Sequence, residues 1–203
     1  MKLYTSPASP FARKVRVIVH ELQLGKMVQE VPTNPATSEE LRRVNPLGKI
    51  PALILDDGSA LIDSPVICEY LNSVGGGKFF PGMSIWRSVS GRWKALTLQA
   101  IGDGMADAAV ARVYETRRPQ EQQSADTIAR YTKALATALD VLERAQFAKD
   151  PTIGEIAVAC AIGYLDFRDV MPGWRDARPS LTAWYEKFSN YPSMRATAPA
   201  NLT

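Results

Sequence analysis

Along residues 1–78 the apolar spacing switches repeatedly between that of a strand and that of a helix, and then the switching stops. Lys2–Thr5 is a short strand rich in large side chains. Pro10–Leu24 carries Phe11, Val15, Ile18, Val19 and Leu22 as a helical stripe, which Gly25 is expected to close. Met27–Val31 reads as a second strand. Ser38–Val44 reads as a short helix, with Glu39 and Glu40 near its start and Arg42 and Arg43 near its end, as the helix dipole favours. Ala52–Leu55 and Ala60–Ile62 flank Asp57-Gly58, a hairpin turn signal. Ser64-Pro65 then opens a helix running to about Ser73, with Ser expected at the N-cap and Pro at N1. The order β-α-β-α-β-β-α calls for a parallel pair joined by a helix, followed by an antiparallel hairpin.

Gly75-Gly76-Gly77 and Pro81-Gly82 interrupt all periodicity. The expected organisation is therefore an α/β domain at 1–78, a linker at 79–85 and an all-α domain at 86–203. In the second half, Trp86–Tyr114 and Ser124–Phe147 are long helical patterns. Thr152-Ile153-Gly154-Glu155 is a capping box ahead of the apolar run Ile156–Leu165, and Ser180–Asn190 is a last helix.

Several functions are disfavoured by composition. Lys and Arg total 24 against 21 Asp and Glu, a net charge of only +3, too weak a bias for nucleic acid or an anionic membrane as main partner. The basic groups Arg13/Lys14/Arg16, Arg42/Arg43 and Arg117/Arg118 are far apart and read as solvated faces. Cys68 and Cys160 belong to no CxxC and read as buried thiols in a reducing compartment. The only histidine, His20, reads as partly exposed on the first helix, and no metal site is expected. The longest apolar run, Ile156–Leu165, is too short to span a bilayer. Met1-Lys2-Leu3-Tyr4 has a strand pattern rather than a signal-peptide core, so a cytoplasmic location is expected.

Three stretches carry residues able to do chemistry. In Ser6-Pro7-Ala8-Ser9-Pro10-Phe11, Ser9 falls at an N-cap and Pro10 at N1, which a plain helix start already explains. The same placement puts a hydroxyl at the positive end of a helix, where it can donate to an anion. With no strong base available, Ser9 is a poor covalent nucleophile. Asn45-Pro46-Leu47-Gly48-Lys49-Ile50-Pro51 reads as a loop entering a strand. A cis Ile50-Pro51 bond would turn the Ile50 N–H and C=O toward an extended peptide ligand. Lys49 is either a solvated lysine or a clamp on a carboxylate. Asp63-Ser64-Pro65 serves as a helix cap; read as a site, Ser64 with its N–H is a second anion pocket and Asp63 a partner for an ammonium group.

On this element order, these stretches resemble the cytosolic glutathione transferases of the bacterial serine type over nearly the whole chain. The resemblance rests on Ser9-Pro10-Phe11 with Lys14-Val15-Arg16, Asn45-Pro46-x-Gly48-Lys49-Ile50-Pro51, Asp63-Ser64, the glycine-rich linker and Thr152-x-x-Glu155. It implies a thioredoxin-like glutathione-binding domain, an all-helical carboxy-terminal domain and a homodimer. It implies glutathione as co-substrate, with Ser9 as the catalytic residue touching its sulfur and Lys49 near its glycyl carboxylate. Ile50 would pair with its backbone ahead of a cis Pro51, and Asp63 and Ser64 would grip its γ-glutamyl end. The family usually has Asp where this chain has Glu155, and Glu closes a capping box equally well.

Relatives place the sulfur contact at slightly different offsets, and Tyr4, Thr5 and Ser6 lie close by; Ser9 is preferred because it alone occupies the N-cap. It stands where glutaredoxin-like Cys-Pro-Phe sequences have Cys, so disulfide exchange through a protein cysteine is not expected. The implied partner is a small hydrophobic electrophile, held near Ser9 and the middle of the Trp86–Tyr114 helix. Met105 or Tyr114 would line that site, and Asp103 and Asp107, four apart on the same helix, read either as a feature of that second site or as a solvated acidic face. The alternatives are a glutathione-dependent isomerase, dehalogenase or peroxidase, and a non-catalytic binding protein of the stringent-starvation type. The presence of Ser9, Lys49, Asp63 and Ser64 together favours an enzyme.

Overall fold

The strand signals of the amino-terminal half assemble into one four-stranded sheet in the order β2-β1-β3-β4. The structure, a computed structural model, describes residues 1–82 and 89–201. Strands β1 (Lys2–Thr5), β2 (Gln29–Pro32), β3 (Ala52–Ile54) and β4 (Ala60–Leu61) are all short. The β1–β2 pair is parallel, and β1–β3 and β3–β4 are antiparallel, as the crossover and hairpin signals require. Helices α1 (Pro10–Glu21), α2 (Glu39–Val44) and α3 (Ser64–Val74) complete this half. Its core holds Leu3, Val15, Ile18, Leu53, Ile67, Leu71 and Phe79, all buried.

The boundaries differ from expectation where one residue replaces another in a local role. Helix α1 ends at Glu21, and Gln23 rather than Gly25 takes the left-handed conformation (φ 56°) beyond it. Gly25 lies instead in a short 3-10 turn, Leu24–Lys26. The α3 N-cap is Asp63, so Ser64 is N1. A carboxylate reaches the first free N–H as readily as a hydroxyl does, which moves the cap back by one residue. The basic group on α1 is not a solvated face: Arg13 and Lys14 are only 3% and 1% exposed, and Arg16 pairs with Glu30 at 2.7 Å. Arg42, Arg43, Arg117 and Arg118 are exposed as expected. His20 is exposed, and both cysteines are buried and outside any disulfide.

The carboxy-terminal half is helical: α4 (Val89–Thr116), α5 (Ala125–Glu143), α6 (Ile153–Arg168), α7 (Pro179–Ser189) and α8 (Pro192–Ala196). The expected helix start at Trp86 and the last linker residues, 83–85, lie outside the described residues. Helix α6 is buried from Ile153 to Leu165. Its capping box forms: the Thr152 hydroxyl accepts from the Gly154 N–H at 3.2 Å, and the Glu155 carboxylate accepts from the Thr152 N–H at 2.8 Å. Glu155 also accepts from the Ala148 N–H at 3.0 Å, so it ties the incoming loop to the helix start.

The chain divides into two compact units, Met1–Arg92 with Pro192–Thr203, and Trp93–Tyr191. Helix α8, which no periodicity in the sequence announced, therefore belongs with the sheet. Among the described residues no helix is long and apolar enough to cross a membrane, and no group of His, Cys, Asp and Glu is placed to hold a metal ion.

Candidate functional site

Strand register brings the three chemical stretches to one end of the sheet. Tyr4 on β1 pairs with Ala52 on β3, and Leu53 pairs with Leu61 on β4. The chain leaves β1 toward Ser9 at the same end where it enters β3 from Ile50-Pro51 and leaves β4 toward Asp63-Ser64. Continuing the β3–β4 register by two residues sets Pro51 opposite Asp63. Ser9, Ile50, Pro51, Asp63 and Ser64 thus converge although they are far apart in sequence.

Ser9 is the N-cap of α1, in extended conformation (φ −88°, ψ 123°), with Pro10 behind it. Its hydroxyl oxygen accepts from the Ala12 N–H at 3.2 Å, and its carbonyl accepts from the Arg13 N–H at 2.9 Å. Capping uses the oxygen's lone pair and leaves the hydroxyl proton able to donate outward. The Phe11 N–H belongs to the same first turn, whose donors have no partner within the helix. The neighbouring hydroxyls differ. Tyr4 is buried and donates to the Glu40 carboxylate at 2.5 Å. That bond, with burial and the Glu40 charge, pushes the phenol up to about 12. The Ser6 hydroxyl accepts from the Ala8 N–H at 3.4 Å. Thr5 has a buried hydroxyl with no partner among the described residues.

The second stretch is a turn organised by a residue that the motif contains but that had no assigned role. Asn45, buried, accepts from the Leu47 N–H at 3.0 Å through its side-chain oxygen and donates to the Lys49 carbonyl at 2.7 Å. Gly48 sits at φ +60°, where a side chain would be strained. The turn delivers Lys49, exposed, and Ile50, half-buried, to the start of β3, and the Ile50–Pro51 bond is cis. The signal that could have found Asn45 is the Asn-Pro-x-Gly spacing, since Asn commonly closes its own turn two residues on.

The third stretch opens α3. The Asp63 carboxylate accepts from the Ser64 N–H, so that N–H, expected to face an anion, is already engaged. The Ser64 hydroxyl is fully buried and has no partner among the described residues. A buried hydroxyl without a partner is costly, and a ligand oxygen would satisfy it. Asp63 is exposed and keeps its second oxygen for a cation. In the helical unit Met105 is buried, so it does not offer a surface for a ligand, whereas Tyr114 is exposed. Asp103 is half-buried and Asp107 exposed.

A small mixed sheet with its polar residues gathered at one end, joined to a helical bundle, defines a class of protein, and comparison with known proteins shows which. The family model described as Glutathione S-transferase, N-terminal domain, matches residues 8–74, and that described as Glutathione S-transferase, C-terminal domain, matches residues 125–187. The chain is 35% identical over 207 residues to the uncharacterized GST-like protein YibF of Escherichia coli K12, covering 98% of each. Among solved structures it is similar to a glutathione transferase family member from Pseudomonas fluorescens Pf-5 with bound glutathione. That likeness has 41% identity, a TM-score of 0.88 and 98% of both chains covered. A glutathione S-transferase from Methylobacillus flagellatus with glutathione bound is 34% identical, with a TM-score of 0.86, over 98% of this chain and 99% of that one. The chain belongs to the glutathione S-transferase family.

Proposed function

We propose that the protein is a glutathione transferase that holds the glutathione thiol as a thiolate at Ser9 for attack on a small hydrophobic electrophile. The observation that carries this reading is the Ser9 hydroxyl, which caps α1 with its oxygen and keeps its proton for an anion at the helix start. Two relatives solved with glutathione bound support the choice of ligand.

The remaining roles follow from chemistry. Asp63 binds the γ-glutamyl ammonium, and the unpartnered Ser64 hydroxyl donates to the adjoining carboxylate. Ile50, presented by the Asn45 turn, pairs with the cysteinyl backbone, and Lys49 lies by the glycyl carboxylate. An ordinary thiol with a pKa of about 8.5 is roughly 3% ionised at pH 7. Lowering it by about two units gives roughly 75% thiolate and needs about 2.7 kcal/mol of preference for the anion. A hydroxyl donating to a charged sulfur supplies about 1.5–3 kcal/mol, and a helix start up to about 1–2 kcal/mol. No general base is required. The sulfur then forms a bond to the electrophilic carbon, whose leaving group departs with the electron pair. In solution the active form is proposed to be a homodimer.

The test is Ser9→Ala. The variant is expected to fold normally and bind glutathione within a few-fold, while turnover of a reference aryl halide falls by at least tenfold. Unchanged turnover would transfer the sulfur contact to Ser6. Failure of the wild-type chain to be retained on immobilised glutathione would favour a binding protein instead.

A further inference from the structure

Arg13 lies one turn beyond Ser9 on α1, about 6 Å along the helix axis, and its N–H closes the first helical hydrogen bond onto the Ser9 carbonyl at 2.9 Å. Its guanidinium donates from Nη2 to the Met194 carbonyl at 3.0 Å. The same carboxy-terminal segment touches the Ser9 loop, where the Ala200 N–H donates to the Pro7 carbonyl at 3.4 Å. The guanidinium therefore lies against a segment that also reaches the Ser6–Ser9 loop.

Among the described residues no carboxylate pairs with this buried charge. Arg13 is 97% buried, and its Nε and Nη1 have no partner among the described residues. No acidic residue occupies the first turn of α1. The elements packed against α1 are α3, α8 and the Leu24–Lys26 turn, and their carboxylates are engaged elsewhere. Glu21, on α1 itself, accepts from Ser193 and pairs with Lys78, while Glu69 on α3 pairs with Arg92. Glu30, on β2, pairs with Arg16. The other charged groups on these elements are cationic: Lys14 on α1, Lys26 in the turn and Arg195 on α8. A desolvated cation with no anion costs free energy, and an anion arriving nearby recovers it.

We propose that Arg13 is a positioning residue whose buried charge favours the anionic form of a thiol held at Ser9. The inference rests on the proposed glutathione site and adds a contributor that makes no contact with the sulfur. A unit charge about 10 Å away at an effective dielectric constant of about 25 changes a thiol's ionisation by about one pH unit, a tenfold change in the thiolate-to-thiol ratio. Burial keeps salt from screening it.

The experiment titrates the thiol of bound glutathione by the ultraviolet absorbance of the thiolate, in the wild type, Arg13→Met and Arg13→Lys. Affinity for S-methylglutathione, which has no ionisable sulfur, is measured in parallel. Arg13→Met is expected to raise the bound thiol's pKa by about one unit and to shift the pH–rate profile with it. S-methylglutathione binding should stay within about twofold, and thermal stability should be unchanged or higher, because an unpaired buried charge has been removed. Arg13→Lys should restore the wild-type titration. If Arg13→Met does not fold, Arg13→Gln is titrated in its place. An unshifted thiol in a folded, ligand-binding neutral variant would overturn the inference. Failure of the wild type to bind S-methylglutathione would instead overturn the underlying site.

Discussion

Tyr4, on β1 five residues before Ser9, is another hydroxyl that could serve a sulfur, but its proton is committed. The phenol donates to Glu40 at 2.5 Å, and the contact pushes it up to about 12 from an ordinary 10.0. A phenol tied to a carboxylate inside an apolar cluster with Leu41 and Ala52 holds the sheet to α2 rather than facing a ligand. Because its pKa is higher folded than unfolded, the tie stabilises fully below pH 10 and fades as the pH rises through about 12. Tyr4→Phe is expected to lower unfolding free energy by about 1–2 kcal/mol at pH 8. The gap from wild type should be about halved at pH 11, and urea denaturation at the two pH values reads it. A gap of equal size at both would mean that the phenol's proton plays no part. The distinction between Tyr4 and Ser9 could not be read from sequence, because it depends on Glu40, which only α2 folding back on β1 brings near.

At the scale of elements, α4 and α6 cross through two glycines. A Cβ on Gly102 would lie 2.6 Å from the backbone of Ala157 and Val158, and one on Gly154 would lie 2.7 Å from the Ala95 carbonyl oxygen. These neighbours are helix backbone and cannot step aside singly. Gly104, two residues along α4, has nothing within 4 Å of a built Cβ. Gly102→Ala is expected to cost about 1–3 kcal/mol by overpacking, whereas Gly104→Ala should gain up to about 1 kcal/mol from helix propensity. Opposite changes in melting temperature would bear this out, and equal changes would contradict it.

The element order itself was legible, because alternation, helical stripes and the Asp57-Gly58 turn are local signals. Ser9 and Ser124 cap α1 and α5 as Ser before a helical stripe should. What stayed hidden depends on contacts between distant residues. Arg13 and Lys14 look like surface charges until α8 covers α1. Asp63 and Ser64 are equally good caps on paper, and only the chain path into α3 chooses between them. Asn45 reads as a loop residue until its amide is seen holding the Lys49 carbonyl. The site was legible as three separate stretches; their convergence came from strand register, which periodicity does not specify.

For the molecule as a whole, the two halves of the chain do not coincide with its two compact units. The sequence breaks near Gly75–Gly82, yet the segment from Pro192 onward returns to the sheet-bearing unit. That segment lies beyond both matched family regions, which end at residues 74 and 187. Its hold on α1 is specific: the Ser193 hydroxyl donates to Glu21 at 2.7 Å, the Met194 carbonyl accepts from Arg13 at 3.0 Å, and Ser193, Met194 and Thr197 are buried. A chain ending at Tyr191 would expose the α1 face that these residues cover and would hydrate Arg13. Hydrogen exchange of the α1 amides from Arg13 to Glu21 is expected to accelerate by at least tenfold, while amides of α6 keep their protection. The loss should be local because the covering contacts belong to one unit, and local opening follows the contacts removed. Unchanged α1 protection in the shortened chain would mean that the sheet and α3 hold this helix without help. Equal acceleration in α1 and α6 would mean that the segment stabilises the whole molecule rather than the unit it joins.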